Sequence, residues 1–172
     1  MINIREYTDR DYPATTDLMR KLTELMGEKF DEFRWRTSLL TRKTAQEGMF
    51  IAIEEDKVIG MGFAEMKGKS EGSYGYISSV IVDEDYRGKG VGELLIQKSI
   101  LYLGRRGANT IRINVRKEAG GAAKLYEKIG FKEKYRVMEL ELSKPQKMER
   151  EKPPKIEAEK PPKTEKPKPA KK

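Results

Sequence analysis

The chain has 172 residues, a net charge of +8, and neither cysteine nor histidine. Its length fits one domain of ordinary size. The missing residue types exclude disulfides, zinc–thiolate sites, cysteine nucleophiles and imidazole bases, and no carboxylate metal motif is visible. The first residues lack the apolar core of a signal peptide, and no apolar run approaches the roughly 18 residues of a membrane helix. We therefore expect a soluble, cytoplasmic protein without a metal.

The basic charge is concentrated in the last residues of the chain, 144–172. This segment holds eleven lysines and arginines, five glutamates, seven of the eight prolines and only four apolar residues. Such a composition cannot bury enough surface to offset the entropy lost on ordering. We predict a folded domain over 1–143 and a disordered Lys/Pro/Glu-rich tail over 144–172. The net tail charge of +6 would give weak, salt-sensitive binding to nucleic acid or another polyanion.

Apolar periodicity predicts helices and strands in the first half of the domain. The elements are, in order, a strand at 2–7, a helix that starts at Asp11 and Pro13, a helix from Glu28 to about Ala45, and a hairpin with strands near 49–54 and 58–66.

The second half alternates strands and helices. The predicted elements are a strand at 74–83, a helix from Gly90 to about Gly104, a strand at 109–116, a short helix at 122–130, and one or two strands within 131–142. This order is neither a strict βαβ alternation nor an all-β pattern. It predicts a mixed sheet with helices on its faces, including one βαβ crossover that should be right-handed.

A glycine cluster, YRGKGVG at 86–92, lies where a predicted strand gives way to a helix. The first turn of a helix has unpaired N–H groups and a positive partial charge. Three glycines remove side chains that would keep a large anion away from those N–H groups, and Arg87 and Lys89 add charge. The pattern is typical of a diphosphate site, although a flexible turn with solvated cations would look similar.

Two familiar phosphate motifs do not fit. A dinucleotide fold needs G-x-G-x-x-G after its first strand, whereas this chain has G-x-G-x-G after its fourth. A P-loop needs G-x4-G-K-[ST] before a helix. The nearest match, GFAEMKGKS at 62–70, has five residues between its glycines and no predicted helix after it.

The loop instead resembles the coenzyme A pyrophosphate loop of the GNAT N-acetyltransferase superfamily, whose signature is [RQ]-x-x-G-x-[GA]. Arg87, Gly90 and Gly92 fill its fixed positions. The segment AAKLYEKIGF at 122–131 resembles the family's A-x-x-L-Y-x-x-x-G-F. With the element order, the resemblance covers 2–142. It implies an α+β (mixed α/β) fold, with a mixed, mostly antiparallel central sheet and helices on both faces.

The resemblance also implies a cosubstrate and site residues. The cosubstrate would be acetyl-CoA. Tyr126 occupies the general-acid position, and a tyrosine, with an ordinary pKa near 10, can donate a proton at neutral pH. The coenzyme would be held by the strand before the loop and by the loop itself: Val80, Ile81, Val82, Arg87, Gly88, Lys89, Gly90, Val91 and Gly92.

Two positions depart from the family's pattern. An asparagine that often contacts the coenzyme is replaced by Ala119, and an acidic residue that often assists deprotonation is replaced by Asn114. Glu65, at the end of the third predicted strand, is the candidate general base, acting through a water. Ser78 and Ser79 would help to order that water.

Three functions follow from these patterns. The first is transfer of an acetyl group to a primary amine, which could belong to a protein N-terminus, a lysine or a small molecule. The second is a non-catalytic acyl-CoA-binding module, which the replaced polar positions leave open and which the presence of Tyr126 argues against. The third is a nucleic-acid-associated interaction protein that acts through the basic tail. We expect a monomer or a homodimer.

Overall fold

The structure is a computed structural model that describes residues 1–68, 72–115, 120–135, 138 and 140. Its helices and strands all lie in the compact unit Met1–Lys132. Within the second unit, Glu133–Lys172, the described residues form no helix or strand. The elements of the first unit are β1 (Asn3–Glu6), α1 (Tyr12–Leu25), α2 (Glu32–Thr44), β2 (Gly48–Glu54), β3 (Lys57–Lys67), β4 (Tyr74–Val82), α3 (Val91–Arg105), β5 (Ile111–Ile113) and α4 (Gly120–Ile129).

The five strands form one sheet in the order β1-β2-β3-β4-β5. The first three pairings are antiparallel and the last, β4 with β5, is parallel. A parallel pair requires a crossover connection, and α3 provides it. The predicted fold class, a mixed and mostly antiparallel sheet, is confirmed.

Helices cover both faces of the sheet. Strand β2 shows why: Met49 and Ile51 belong to one apolar cluster, while Phe50 and Ala52 belong to the other, because successive side chains of a strand point to opposite faces. One cluster contains Leu18, Trp35 and Leu39 of α1 and α2. The other contains Leu95, Ile96, Leu103 and Tyr126 of α3 and α4. We call these sides the α1/α2 face and the α3/α4 face.

Strand β4 contains a bulge. Its pairing with β3 shifts from Met61↔Ile81 to Phe63↔Ser78, so one extra β4 residue is accommodated near Ser79, whose φ is +52°. A bulge bends a strand and re-aims its side chains. Ile77 and Ile81 would point the same way in a regular strand, yet Ile77 packs on the α3/α4 face and Ile81 on the α1/α2 face.

Three predicted elements differ from the structure. Strand β5 covers only Ile111–Ile113 rather than 109–116, because its pairing with β4 ends at Ile77, just before the bulge. Helix α2 begins at Glu32 rather than Glu28, since the Asp31 carboxylate accepts a hydrogen bond from the N–H of Arg34 at 3.0 Å and caps the helix there.

The late strand predicted within 131–142 is not found where the structure describes that segment. Residues 131–135, Met138 and Leu140 have no regular secondary structure. A period-two pattern alone is a weak strand signal when no neighbouring strand is paired with it. The rest of the segment, the predicted boundary near Ser143 and the tail lie outside the described residues.

A buried carboxylate joins the sheet to α1. Asp11 is 5% exposed and accepts two hydrogen bonds of 2.8 Å from the Arg5 guanidinium of β1. It also accepts from the N–H of Thr8 at 2.7 Å and from the Thr8 hydroxyl at 2.9 Å. The Arg5 hydrogen bonds act against burial and hold the pKa of Asp11 at about 2. The ionised carboxylate therefore stabilises the start of α1.

We expect Asp11→Asn to lower the free energy of unfolding by about 2 kcal/mol at pH 7, because the pKa difference between folded and unfolded chain corresponds to that amount. The depressed pKa makes this stabilisation complete above about pH 4, the usual range of an unfolded aspartate, and it is lost as the pH falls through about 2. Urea unfolding of both proteins between pH 7 and pH 2 measures the converging difference.

Asp9→Asn is the matched control in the same turn. Asp9 is exposed, and among the described residues its ion-pair partner is the exposed Lys43 at 2.8 Å; surface pairs of this kind contribute little. An equal loss in the two variants, or a constant difference down to pH 2, would contradict the assigned role of Asp11.

Candidate active site

The glycine loop connects the end of β4 to the start of α3. A short 3-10 turn at Glu84–Tyr86 follows β4, and Gly88 and Gly90 then adopt φ values of +75° and +80°. Residues with a Cβ rarely adopt this left-handed region. Gly90 is the residue before α3, and its carbonyl accepts the hydrogen bond from the N–H of Leu94 at 3.1 Å. The chain therefore turns sharply into the helix at Gly90.

The amide groups of this loop are available to an anion. Residues 87–90 form a turn, and no backbone hydrogen bond of good geometry from the N–H groups of residues 88–92 is found among the described loops and turns. A Cβ added at Gly88 or Gly90 would meet no atom within 4 Å, so the space beside the loop is open. Unpaired N–H groups at the positive end of a 15-residue helix make a ready anion site.

Gly92 has a different environment. A Cβ there would lie 3.4 Å from Leu125 Cδ2 of α4 and 3.8 Å from Val82 Cγ2 of β4. The residue thus allows α3 to pack closely against its neighbours. Val91, beside it, is buried in the α3/α4 cluster and anchors the first turn of the helix.

The edge of β4 next to the loop lacks a strand partner. Pairing with β5 ends at Ile77↔Ile113, and no described residue pairs with the rest of that edge. The N–H of Asp83 points to β3, where it donates to the carbonyl of Ile59 at 2.9 Å. Backbone groups alternate sides along a strand, so those of Val82 and Val80 point to the open edge.

The side chains at the end of β4 alternate between the two faces of the sheet, as the three residues 80–82 show. Ile81 pairs with Met61 of β3 and is buried on the α1/α2 face. Val80 and Val82 pack with the α3/α4 cluster. The Val82 carbonyl accepts a hydrogen bond from Arg87 Nε at 3.3 Å, which ties the loop arginine to the open edge.

Tyr126 lies on α4 within the same cluster as Val80 and Val82. The residue is 9% exposed, and its ring meets Phe131 edge-on at a centroid distance of 6.0 Å. Burial raises the pKa of its hydroxyl above the usual value, because a low-dielectric environment disfavours the phenolate. Because its pKa is raised, the hydroxyl is protonated at neutral pH. It has no hydrogen-bond partner among the described residues.

Glu65 lies on the opposite face of the sheet. It is two residues beyond Phe63, which packs in the α1/α2 cluster. Its carboxylate is 3.9 Å from Arg42 Nη1 and 3.4 Å from Lys67 Nζ. Glu65 therefore lies beside two cations.

A cavity of about 350 Å³ opens beside Glu65 along α2. Arg42 lines this cavity. Its guanidinium lies 4.6 Å from the centroid of the Phe63 ring and 2.7 Å from a Glu47 carboxylate oxygen. Burial raises the pKa of Glu47 despite that cation. The cavity is lined by Phe33, Arg34, Thr37, Ser38, Thr41, Arg42, Glu47 and Glu65.

Ser78 and Ser79 lie at the bulge. The Ser78 hydroxyl oxygen is buried and has no hydrogen-bond partner in the described part of the chain. Ser78 pairs with Phe63 and Tyr76 pairs with Glu65, so Ser78 and Glu65 are diagonal neighbours on one face. Diagonal residues lie roughly 7–8 Å apart, which is within reach of a long side chain such as that of Glu65. Nothing in the sequence Ser-Ser signals the bulge.

The sequence-predicted residues fall into two groups. The loop, the β4 edge and Tyr126 share the α3/α4 side, whereas Glu65 and Ser78 lie on the α1/α2 side. Asn114, exposed just after β5, follows the last β4–β5 pair. Ala119 lies outside the described residues. In the described ranges, no cluster of three metal-ligating side chains occurs, and no helix is long and apolar enough to span a membrane.

Known proteins with similar sequences or structures include acetyltransferases. The model of the acetyltransferase (GNAT) family matches residues 4–131. Over 144 residues the chain is 31% identical to an uncharacterised N-acetyltransferase of Methanocaldococcus jannaschii, a match covering 76% of this chain and 63% of the relative. It is 30% identical over 86 residues to N-alpha-acetyltransferase 30 of Schizosaccharomyces pombe, covering 49% of this chain and 57% of that protein.

Both matches thus span less than two thirds of the relatives' own lengths. Among solved structures, a predicted acetyltransferase with acetyl-CoA from Clostridium acetobutylicum has the same fold, with a TM-score of 0.68, 19% identity, and 82% of this chain and 96% of that chain covered. The matched segment includes the glycine loop, the open β4 edge and Tyr126. The chain therefore belongs to the GNAT acetyltransferase family.

Proposed function

We propose that the protein transfers the acetyl group of acetyl-CoA to a primary amine by direct attack. The observation that carries the proposal is the glycine loop, whose N–H groups at the start of α3 lie beside an open strand edge. A ligand with a diphosphate and an amide-bearing arm fits both features. The loop residues Arg87–Gly92 would hold the diphosphate, and the backbone of Val80 and Val82 would pair with the arm.

Bound acetyl-CoA supplies a thioester whose carbonyl carbon forms the new C–N bond as the C–S bond breaks. The departing sulfur needs a proton, and Tyr126 would donate it. Two observations support that role: the hydroxyl is unpartnered among the described residues, and burial raises its pKa and keeps it protonated. A phenol of this kind is a competent general acid at neutral pH.

The amine arrives protonated and must lose one proton before attack and a second as the amide forms. Glu65 would accept the first proton through a water held with Ser78, since the two side chains are diagonal neighbours on the α1/α2 face. The second proton would restore the Tyr126 hydroxyl after it has protonated the sulfur. The unpartnered Ser78 hydroxyl supports the presence of such a water, because a buried hydroxyl without a hydrogen bond is costly. Because β4 has no described strand partner on its β5 side beyond Ile77, the amine on the α1/α2 side could reach the thioester through the open edge of the sheet.

The acceptor would enter from the α1/α2 face, where the cavity beside α2 carries two carboxylates, Glu47 and Glu65. We propose a protein N-terminus as the first acceptor to test, because a relative covering about half of this chain is an N-alpha-acetyltransferase. Lysine side chains and small amines complete the panel. Mass spectrometry of the panel after incubation with acetyl-CoA tests the activity, and no acetylated product on any member would overturn it.

Changing Gly90 to valine should weaken acetyl-CoA binding at least tenfold, which is about 1.4 kcal/mol. The new side chain would strain a φ of +80° and occupy the open space beside the loop. Calorimetry on the folded variant measures the affinity. Gly107→Val is the matched control, since Gly107 has a φ of +86° and open space just past the other end of α3. Equal affinities of parent and Gly90→Val for the coenzyme would refute the loop assignment.

Changing Tyr126 to phenylalanine should keep coenzyme affinity and reduce kcat by about 10²–10⁴-fold, the usual contribution of a general acid. Rates under saturating acetyl-CoA, with a separate binding measurement, distinguish the two effects. Tyr102→Phe serves as control, because its hydroxyl donates to the Gln46 carbonyl at 2.6 Å and lies outside the proposed site. A Tyr126→Phe rate within twofold of the parent would reduce Tyr126 to a packing residue.

Changing Glu65 to glutamine should slow acetyl transfer by about 10²-fold or more and remove the fall in rate on the acid side of the pH profile. Glu47→Gln is the control, because Glu47 pairs with the same Arg42 at 2.7 Å and lines the same cavity. Loss of the acid limb in Glu47→Gln with an unchanged profile in Glu65→Gln would transfer the role to Glu47 and contradict the assignment.

A further inference from the structure

Two lysines lie against the ring of Tyr86, in the turn before the glycine loop. Lys89 Nζ is 4.7 Å from the ring centroid, and Lys57 Nζ is 4.9 Å from it. Lys89 belongs to the loop, whereas Lys57 is the first residue of β3. Cations at such distances are attracted by the aromatic ring, so Tyr86 holds the two ammonium groups beside the loop.

The fold rather than the sequence brings Lys57 to this position. Glu55 and Asp56 form a tight turn with φ values of +48° and +66°. Strand β3 begins right after this turn, three residues before Gly60, which pairs with Val82 at the end of β4. The N–H of Asp83 donates to the Ile59 carbonyl at 2.9 Å and fixes that register. Tyr86 itself packs partly against the α3/α4 cluster, so its ring is not free to leave.

The two ammonium groups have no direct ion-pair partner in the described part of the chain, although Lys57 also acts electrostatically on the Asp83 carboxylate. Neighbouring charges are paired: Arg87 with Glu84 at 3.6 Å, and Lys21 with Asp83 at 3.2 Å. Lys57 and Lys89 form no ion pair there. Because both nitrogens contact one ring, they lie within about one Debye length, roughly 8–10 Å, and repel each other. An anion that contacts both ammonium groups would reduce that repulsion.

We propose that Lys57, Tyr86 and Lys89 form a second phosphate site, which binds the 3′-phosphate of coenzyme A. The inference rests on the proposed function, since it assigns the diphosphate to the neighbouring loop amides. A phosphate monoester carries a charge of about −1.5 to −2 at neutral pH, enough to neutralise two ammonium groups. The site would select coenzyme A over coenzymes that lack this phosphate.

The experiment compares acetyl-CoA with acetyl-3′-dephospho-CoA, which differ only in that group. The parent protein should bind acetyl-CoA at least tenfold more tightly. Lys57→Gln should weaken acetyl-CoA binding about tenfold and leave the affinity for the dephospho compound unchanged. Tyr86→Leu should reduce the same discrimination, because it removes the platform that holds both lysines. Isothermal calorimetry at one fixed salt concentration gives the affinities.

Arg112→Gln is the matched control. It also removes a cation stacked on an aromatic ring, at 3.8 Å from the Tyr74 centroid, but at the opposite end of β4 from the loop. Its discrimination should equal that of the parent. Equal parent affinities for the two compounds, or an equal loss for both in Lys57→Gln, would overturn the second site while leaving the loop assignment intact. Binding of neither compound to the parent would overturn the proposed function itself.

Discussion

The bulge in β4 is the constraint on which the rest of the site depends. One extra residue near Ser79 shifts the pairing with β3 and turns Ile77 and Ile81 to opposite faces. The β4–β5 ladder ends at Ile77, immediately before it. A regular β4 would continue to pair with β5 and would close the edge that borders the glycine loop. The bulge therefore creates the opening that the proposed coenzyme arm requires.

The two faces of the sheet contribute different groups to the proposed site. The α3/α4 face contributes the loop amides, the backbone of Val80 and Val82, and the buried Tyr126. The α1/α2 face contributes Glu65, the unpartnered Ser78 hydroxyl and the cavity along α2. In the proposed reaction, coenzyme and acceptor approach from different sides, and the acid and the base are kept apart so that neither neutralises the other.

The cations around the loop differ in how far they are already engaged by other groups of the protein. Arg87 is tied to the Val82 carbonyl and to Glu84, which limits its freedom to follow a ligand. Lys57 and Lys89 contact an aromatic ring and form no direct ion pair among the described residues, although Lys57 also acts electrostatically on the Asp83 carboxylate. An anionic ligand would therefore interact most strongly with the amides and with these two lysines.

The sequence by itself determined the fold class and the glycine loop. Glycine spacing, helix periodicity and the LYEKIGF segment at 125–131 are local patterns, and local geometry follows from adjacent residues. The structure confirms the mixed sheet, and the chain's family was already indicated by the loop and by Tyr126. Only the tertiary structure decided the short β5, the bulge at Ser79, the opposite faces of Tyr126 and Glu65, and the meeting of Lys57 with Lys89. These features depend on strand register, and register is set by pairing between residues far apart in the chain.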